Sequence, residues 1–248
     1  MSRHSQAFDR VACENKFATA PISMQVHSRH RGPIFERSGG LRSEIEKVVN
    51  RVYRGSRETT RRAVVFASIE PGNGCSWICA HTADLLSTTC DGSVCLVDAN
   101  LRSPSLHDYM GVSVSRGLAD LVSDRALDLK DVVSQIDGTQ LWVLPAGHTL
   151  GSTDDCLAQS DKMRDRINEI RRRFDYVLID VPAVSICNDA AAIGQASDGV
   201  ILVVRAGSAR RDVVRRISGE LASSGTRLLG AILNDYTSPL PRSFERWL

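Results

Sequence analysis

Four stretches of this chain, Ala63 to Ile69, Val94 to Val97, Tyr176 to Ile179 and Gly199 to Val204, are apolar at nearly every position rather than at every second one. A strand that alternates has one dry face, whereas a strand apolar throughout must be covered on both. Leu141 to Leu144 and Leu229 to Leu233 are two more such runs. Between the strands lie segments with helical periodicity. Residues 76–89 form one, and residues 160–174 place Met163, Ile167, Ile170 and Phe174 on one face. Val213, Val214, Ile217 and Leu221 mark another, and short helices are predicted at Gly117 to Val122, at Lys130 to Ile136 and from Asp189. Strands alternating with helices predict an α/β fold of three layers, a mainly parallel sheet with helices on both faces.

A chain of 248 residues is long enough to bury one such core. Residues 63–236 are assigned to it. Residues 1–33 are polar and aperiodic and are predicted to be disordered. Leu41, Ile45, Val48, Val49 and Val52 recur at helical spacing within 34–62, which ends in the basic link Arg54 to Arg62, read as solvated. Residues 237–248 form a tail. No apolar run approaches the ~20 residues needed to cross a bilayer, and no signal-peptide core follows Met1, so a cytoplasmic location is expected. A net charge of +2 gives no field for nucleic acid, and no such partner is expected. Seven cysteines, an odd number, fit free thiols in a reducing compartment better than a disulfide framework, and Cys75 and Cys79 lack the second ligand pair of a zinc site.

The first core strand runs into Pro71-Gly72-Asn73-Gly74-Cys75-Ser76-Trp77, and a helix follows. Glycines in such a turn let backbone N–H groups crowd round an anion, and the free amides and dipole of the helix N-terminus add to them. A phosphate loop of the GxxxxGK[ST] kind adds a lysine for the outer phosphates and then a hydroxyl for magnesium. Ser76 keeps the hydroxyl, but Cys75 stands where the lysine belongs. The chain has only Lys16, Lys47, Lys130 and Lys162. Asp98 and Asp180 each follow an apolar strand directly, and in a parallel sheet the carboxyl ends of the strands meet the loop. Two carboxylates behind a glycine loop suit a magnesium ion and its water shell.

Three segments carry a resemblance to the bacterial tyrosine kinases of capsule and exopolysaccharide synthesis, a branch of the P-loop NTPases related to the Min and Par ATPases. Pro71 to Ser76 resembles that family's PGEGKS loop. Cys95 to His107, reading CLVDANLRSPSLH, resembles LLIDADLRRPSLH, and Phe174 to Pro182, reading FDYVLIDVP, resembles FDYVIIDTPP. The resemblance implies a P-loop NTPase-like fold that takes ATP or ADP with Mg²⁺. It implies magnesium positions at Ser76, Asp98 and Asp180, with the two aspartates also the catalytic carboxylates. Nucleotide contacts fall to Pro71, Gly72, Asn73, Gly74, Cys75, Ser76, Trp77 and Arg102, and Asn234 is placed near the base.

The departures decide what is expected of it. Cys75 replaces the catalytic lysine, Asn73 the loop glutamate, and Asn100 the second aspartate of the acidic motif, while Trp77 stands where a small hydroxyl residue is usual. Of the family's tyrosine-rich tail Tyr236 alone is present, and its ExxRxxR assembly motif appears as Glu36, Gly39 and Arg42, without the middle arginine that serves homo-oligomers. The expectation is a catalytically impaired relative acting in polysaccharide synthesis and export. Its implied partner is a membrane-embedded co-polymerase or chain-length regulator, which would hold it at the inner membrane. The alternatives are an active ATP-dependent tyrosine autokinase and a Min/Par-type partitioning ATPase. A thiol at a helix N-terminus favours the thiolate, which would give Cys75 a reactive role, but the reading preferred is a small residue left where a lysine was lost.

Overall fold

The computed structural model describes residues 22–23, 39–54, 62–147 and 160–235. In chain order these form β1 (Ile22–Ser23), α1 (Gly39–Tyr53), β2 (Ala63–Ser68), α2 (Cys75–Thr89), β3 (Val94–Asp98), α3 (Leu106–Met110) and α4 (Leu118–Ser123). There follow β4 (Ser134–Gln135), β5 (Leu141–Leu144), α5 (Asp161–Arg173), β6 (Tyr176–Asp180), α6 (Asp189–Gln195), β7 (Gly199–Arg205), α7 (Arg211–Ser223) and β8 (Leu228–Asn234). The strands make one sheet in the order β1-β8-β7-β2-β6-β3-β5-β4. Every neighbouring pair is parallel except β4 and β5.

Alternate residues of each central strand enter two separate cores. Val64 and Phe66 of β2, Leu96 of β3, Leu178 of β6 and Val203 of β7 pack with Ile45 and Val48 of α1 and Ile78 and Leu86 of α2. Their neighbours Val65, Val97, Ile179 and Leu202 pack on the other face with Leu121 of α4, Ile167 of α5, Ile193 of α6 and Ile217 of α7. This double burial is what the unbroken apolar runs require, and it makes the three layers.

The predicted elements appear within a residue or two of their expected limits, with one correction. Lys130 to Ile136 is not a helix. Asp128 accepts the Lys130 amide at 3.1 Å and caps a single 3₁₀ turn over Leu129–Asp131. The chain then pairs Ser134 and Gln135 with Val143 and Trp142 across a turn containing Asp137 and Gly138, the latter at φ 71°. An Asp-Gly pair between short strands is a hairpin signal, and here it outweighs the apolar spacing of Val132, Val133 and Ile136. Ile22 and Ser23 fall in the stretch predicted to be disordered, yet they pair with Ile232 and Leu233 of β8. The rest of that prediction, the link at 55–61 and the tail at 237–248 lie outside the described residues.

Arg166 ties α5 to the end of α4. Its guanidinium donates to the carbonyls of Leu121 at 2.9 Å, Asp124 at 2.9 Å and Leu127 at 3.3 Å, and to Glu169 at 2.7 Å. Replacement by leucine strands three carbonyls and a carboxylate in a half-buried setting. Arg166→Leu is expected to lower the unfolding free energy by about 2 kcal/mol, read from the urea midpoint at unchanged slope.

Candidate functional site

Strand order assembles the site. β6 lies between β2 and β3, so the loop leaving β2 and the ends of β3 and β6 come together at the carboxyl edge of the sheet. Asp98 is the direct ladder partner of Asp180, and Phe66 of β2 pairs with Asp180 from the other side. The loop and the two carboxylates predicted to cluster do so.

Gly72 and Gly74 both adopt left-handed backbone, at φ 80° and φ 83°, which a side chain would strain. Gly74 is the N-cap of α2 and offers no side chain to close it, so the first amides of a 15-residue helix stay available. A cleft of about 610 Å³ opens over them. The loop residues Pro71 to Trp77 line it together with Asn100, Arg102, Tyr109, Pro182 and Ile186. Arg102 is the only lysine or arginine among the described residues that do so. Tyr109 and Ile186 were not foreseen. Ile186 is 53% exposed at the mouth, on the turn after Asp180-Val181-Pro182, and no pattern in its neighbours marks it.

The two carboxylates are fully buried and differ in their surroundings. Asp98 is engaged by backbone: Oδ1 accepts the Asn100 amide at 3.1 Å, and Oδ2 accepts those of Ser105 and Leu106 at 3.0 Å each, so it also closes the start of α3. Burial raises its pKa to about 6, and these three amides hold it from going higher. Neither oxygen of Asp180 has a hydrogen-bond partner of ordinary geometry among the described residues. Burial first, and then the Asp98 charge beside it, push its pKa up to about 8, while the facing Ser76 hydroxyl and Cys75 thiol pull the other way. An orphaned buried carboxyl beside a hydroxyl is the donor set a hard divalent cation takes. The residues therefore fit magnesium at Ser76 and Asp180, with Asp98 behind them.

Cys75 does not do what a helix N-terminus alone predicts. It is buried, and burial raises its thiol pKa well above the ordinary value, with the Asp180 charge and the neighbouring Cys79 acting in the same direction. The thiol stays protonated, which argues against the reactive-thiolate alternative and accords with the reading preferred from sequence. Cys79, one turn on, faces the same two carboxylates, and their i, i+4 spacing is the sequence signal for that. Trp77 turns inward, 9% exposed, and its ring stacks on His81 with centroids 3.7 Å apart. Asn100 uses its Oδ1 on the Ser103 amide at 3.2 Å. Asn234 is fully buried and is not a wall of the cleft; its Nδ2 donates to the Asn73 carbonyl at 2.9 Å.

The family described as cellulose biosynthesis protein BcsQ matches residues 62–222, the strands, loop and carboxylates just described. The chain belongs to that family. Tyrosine-protein kinase CpsD of Streptococcus agalactiae serotype III (strain NEM316) is 33% identical to it over 140 residues, 56% of this chain and 60% of CpsD. The chain thus matches less than two thirds of that relative's length. The succinoglycan biosynthesis transport protein ExoP of Rhizobium meliloti (strain 1021) is 32% identical over 177 residues, 70% of this chain but 22% of ExoP. The kinase domain of Escherichia coli tyrosine kinase ETK superposes with a TM-score of 0.79 at 19% identity, covering 93% of this chain and 95% of that one, and shows the shared fold.

A carboxyl whose folded-state pKa lies above its unfolded value holds its proton more tightly when folded. Asp180 therefore adds stability below its ordinary pKa of 3.8, and that stability is lost as pH rises through about 8. Asp180→Asn carries no such titration. The variant is expected to gain in unfolding free energy relative to the native protein between pH 5 and about 8.5, in magnesium-free urea titrations. Added magnesium should reduce that gain at the alkaline end.

Proposed function

We propose that this P-loop protein works in exopolysaccharide or capsule synthesis and export as a catalytically impaired member of the tyrosine-kinase group. It would act through protein contacts rather than phosphoryl transfer. The observation that carries this reading is the buried, protonated Cys75 thiol at the lysine position of the loop, facing Asp180. Phosphoryl transfer is mostly positioning and charge neutralisation, so it needs cations round the phosphates. Here the loop supplies none, and the adjoining buried carboxyls bring no positive charge in its place.

The remaining parts favour weak nucleotide binding over none. Gly72, Gly74 and the start of α2 would cradle phosphates, Ser76 and Asp180 would hold magnesium, and Arg102 would approach from the opposite wall of the cleft. Bound magnesium would neutralise phosphate charge, and the protein's own part would be to orient the anion and to offer the Ser76 hydroxyl and the Asp180 carboxyl, which would give up its proton to the incoming ion. The partner class follows from ExoP, a transport protein in which the stretch similar to this chain is about a fifth of the whole. The partner would be a membrane-embedded polysaccharide co-polymerase or chain-length regulator. No helix among the described residues is long and apolar enough to cross a membrane. Attachment to the inner membrane through that partner is part of the proposal.

Calorimetry with Mg·ATP and Mg·ADP tests the reading. A charge-assisted contact is worth roughly 1.5–3 kcal/mol, so Cys75→Lys is expected to bind about ten- to a hundredfold more tightly than the native protein. Labelling with γ-phosphate should leave native Tyr236 unmodified. Micromolar native binding with labelling that Asp98→Ala abolishes would overturn the impaired reading and establish an active autokinase.

A further inference from the structure

Two buried asparagines meet beneath the phosphate loop. Asn234, the last residue of β8, is fully buried, and Asn73, in the middle of the loop, is 3% exposed. They are joined by the bond from Asn234 Nδ2 to the Asn73 carbonyl. It leaves Asn73 Nδ2 and Asn234 Oδ1 buried with no hydrogen-bond partner among the described residues.

Strand order shows which way this bond pulls. β8 and β7 lie on one side of β2, and β6 and β3 on the other. Apart from the β2 end and the loop itself, the residues lining the cleft come from 100–109 and 181–186, after β3 and β6. In a trans peptide the carbonyl and the following N–H point in opposite directions. A carbonyl of Asn73 drawn toward β8 therefore turns the Gly74 N–H toward β6 and β3, where the cleft lies. The left-handed backbone at Gly72 and Gly74 permits that turn. Asn73 is itself a wall of the cleft, and its unpartnered amide is the kind of buried donor that an anion satisfies.

We propose that Asn234 is the positioning residue of the phosphate loop, holding the Asn73 carbonyl so that the Gly74 N–H and the Asn73 side-chain amide together receive a diphosphate anion. The inference rests on the phosphate-binding reading above and adds to it how the loop stays formed without its lysine. Neutral donors fixed in advance lose little on binding, which partly offsets the missing ammonium. Asn234 does not touch the anion; it acts through the loop.

The test uses the whole chain, with magnesium pyrophosphate as the probe and amide hydrogen exchange as a readout independent of ligand. The Ile78 amide donates to the Gly74 carbonyl at 3.0 Å and reports whether the loop and first turn of α2 are held. Asn234→Asp removes the donor at constant size, and Asn234→Ser shortens it without adding charge. Thr226→Val, which removes a buried hydroxyl bonded to the Ala191 carbonyl, is the control for a purely structural loss. In whichever Asn234 variant folds, pyrophosphate binding is expected to weaken about tenfold and Ile78 exchange to quicken about tenfold, while the control changes neither. Asn73→Ala should weaken binding but leave Ile78 protected. Native-like binding and protection in an Asn234 variant would overturn the proposal, as would equal loosening by Thr226→Val. If the native protein takes no pyrophosphate, the phosphate-binding reading fails, and Ile78 exchange in the Asn234 variants alone decides whether the residue holds the loop.

Discussion

Everything at the carboxyl edge of this sheet follows from the insertion of β6 between β2 and β3. The chain passes from the loop strand through α2 to a strand that is not its neighbour, and the gap is filled by one arriving some eighty residues later. That crossing makes Asp98 and Asp180 ladder partners and sets both against the start of α2. Two like charges placed so close in a dry interior cannot both ionise cheaply, and the protein divides the burden unequally. Asp98 is met by three backbone amides, whereas Asp180 is left for a hydroxyl, a thiol and whatever cation enters.

A lysine after the last loop glycine would set positive charge beside that pair. With Cys75 there, the interior stays short of a cation, and the thiol joins the carboxyls as one more group whose charged form is disfavoured. Trp77 and Cys79 enlarge the dry region by packing with Ile78 and Phe66 under the helix. The departures at Cys75 and Trp77 thus act together in physical terms, both moving the buried side of the loop toward an apolar, neutral interior. A magnesium ion would arrive in a setting tuned for protonated acids, and it would have to displace a proton from Asp180 to bind.

The fold was legible because its signal is redundant. Six apolar strands with no polar phase leave few ways to bury them, and the period-two division of Val64, Phe66 and their neighbours between two cores repeats that message in space. Loop, hydroxyl and carboxylates were legible for a related reason: each immediately follows or adjoins a strand, so topology alone brings them together. What escaped was set by contacts between distant segments. Asn234 could be placed at a strand end but not bonded to Asn73, 161 positions away in sequence. The 3₁₀ turn and hairpin at 129–144 were masked because three apolar residues there mimic a helical stripe. For Cys75 the helix dipole alone pointed to a thiolate, the alternative not preferred, and burial and a neighbouring acid act on the same thiol with the opposite sign and win.

The inward Trp77 gives the loop a built-in optical reporter. Its indole is a wall of the cleft and lies against His81, whereas Trp142 sits on β5 beside Phe174, near the far edge of the sheet. An indole's emission depends on the polarity and charge around it, so anything that fills, wets or charges the cleft changes the light from Trp77 and leaves Trp142 as an internal standard once Trp247, the third tryptophan of the chain, is replaced by phenylalanine. The bulk that set this loop apart from its relatives is also what makes its occupancy visible without a label.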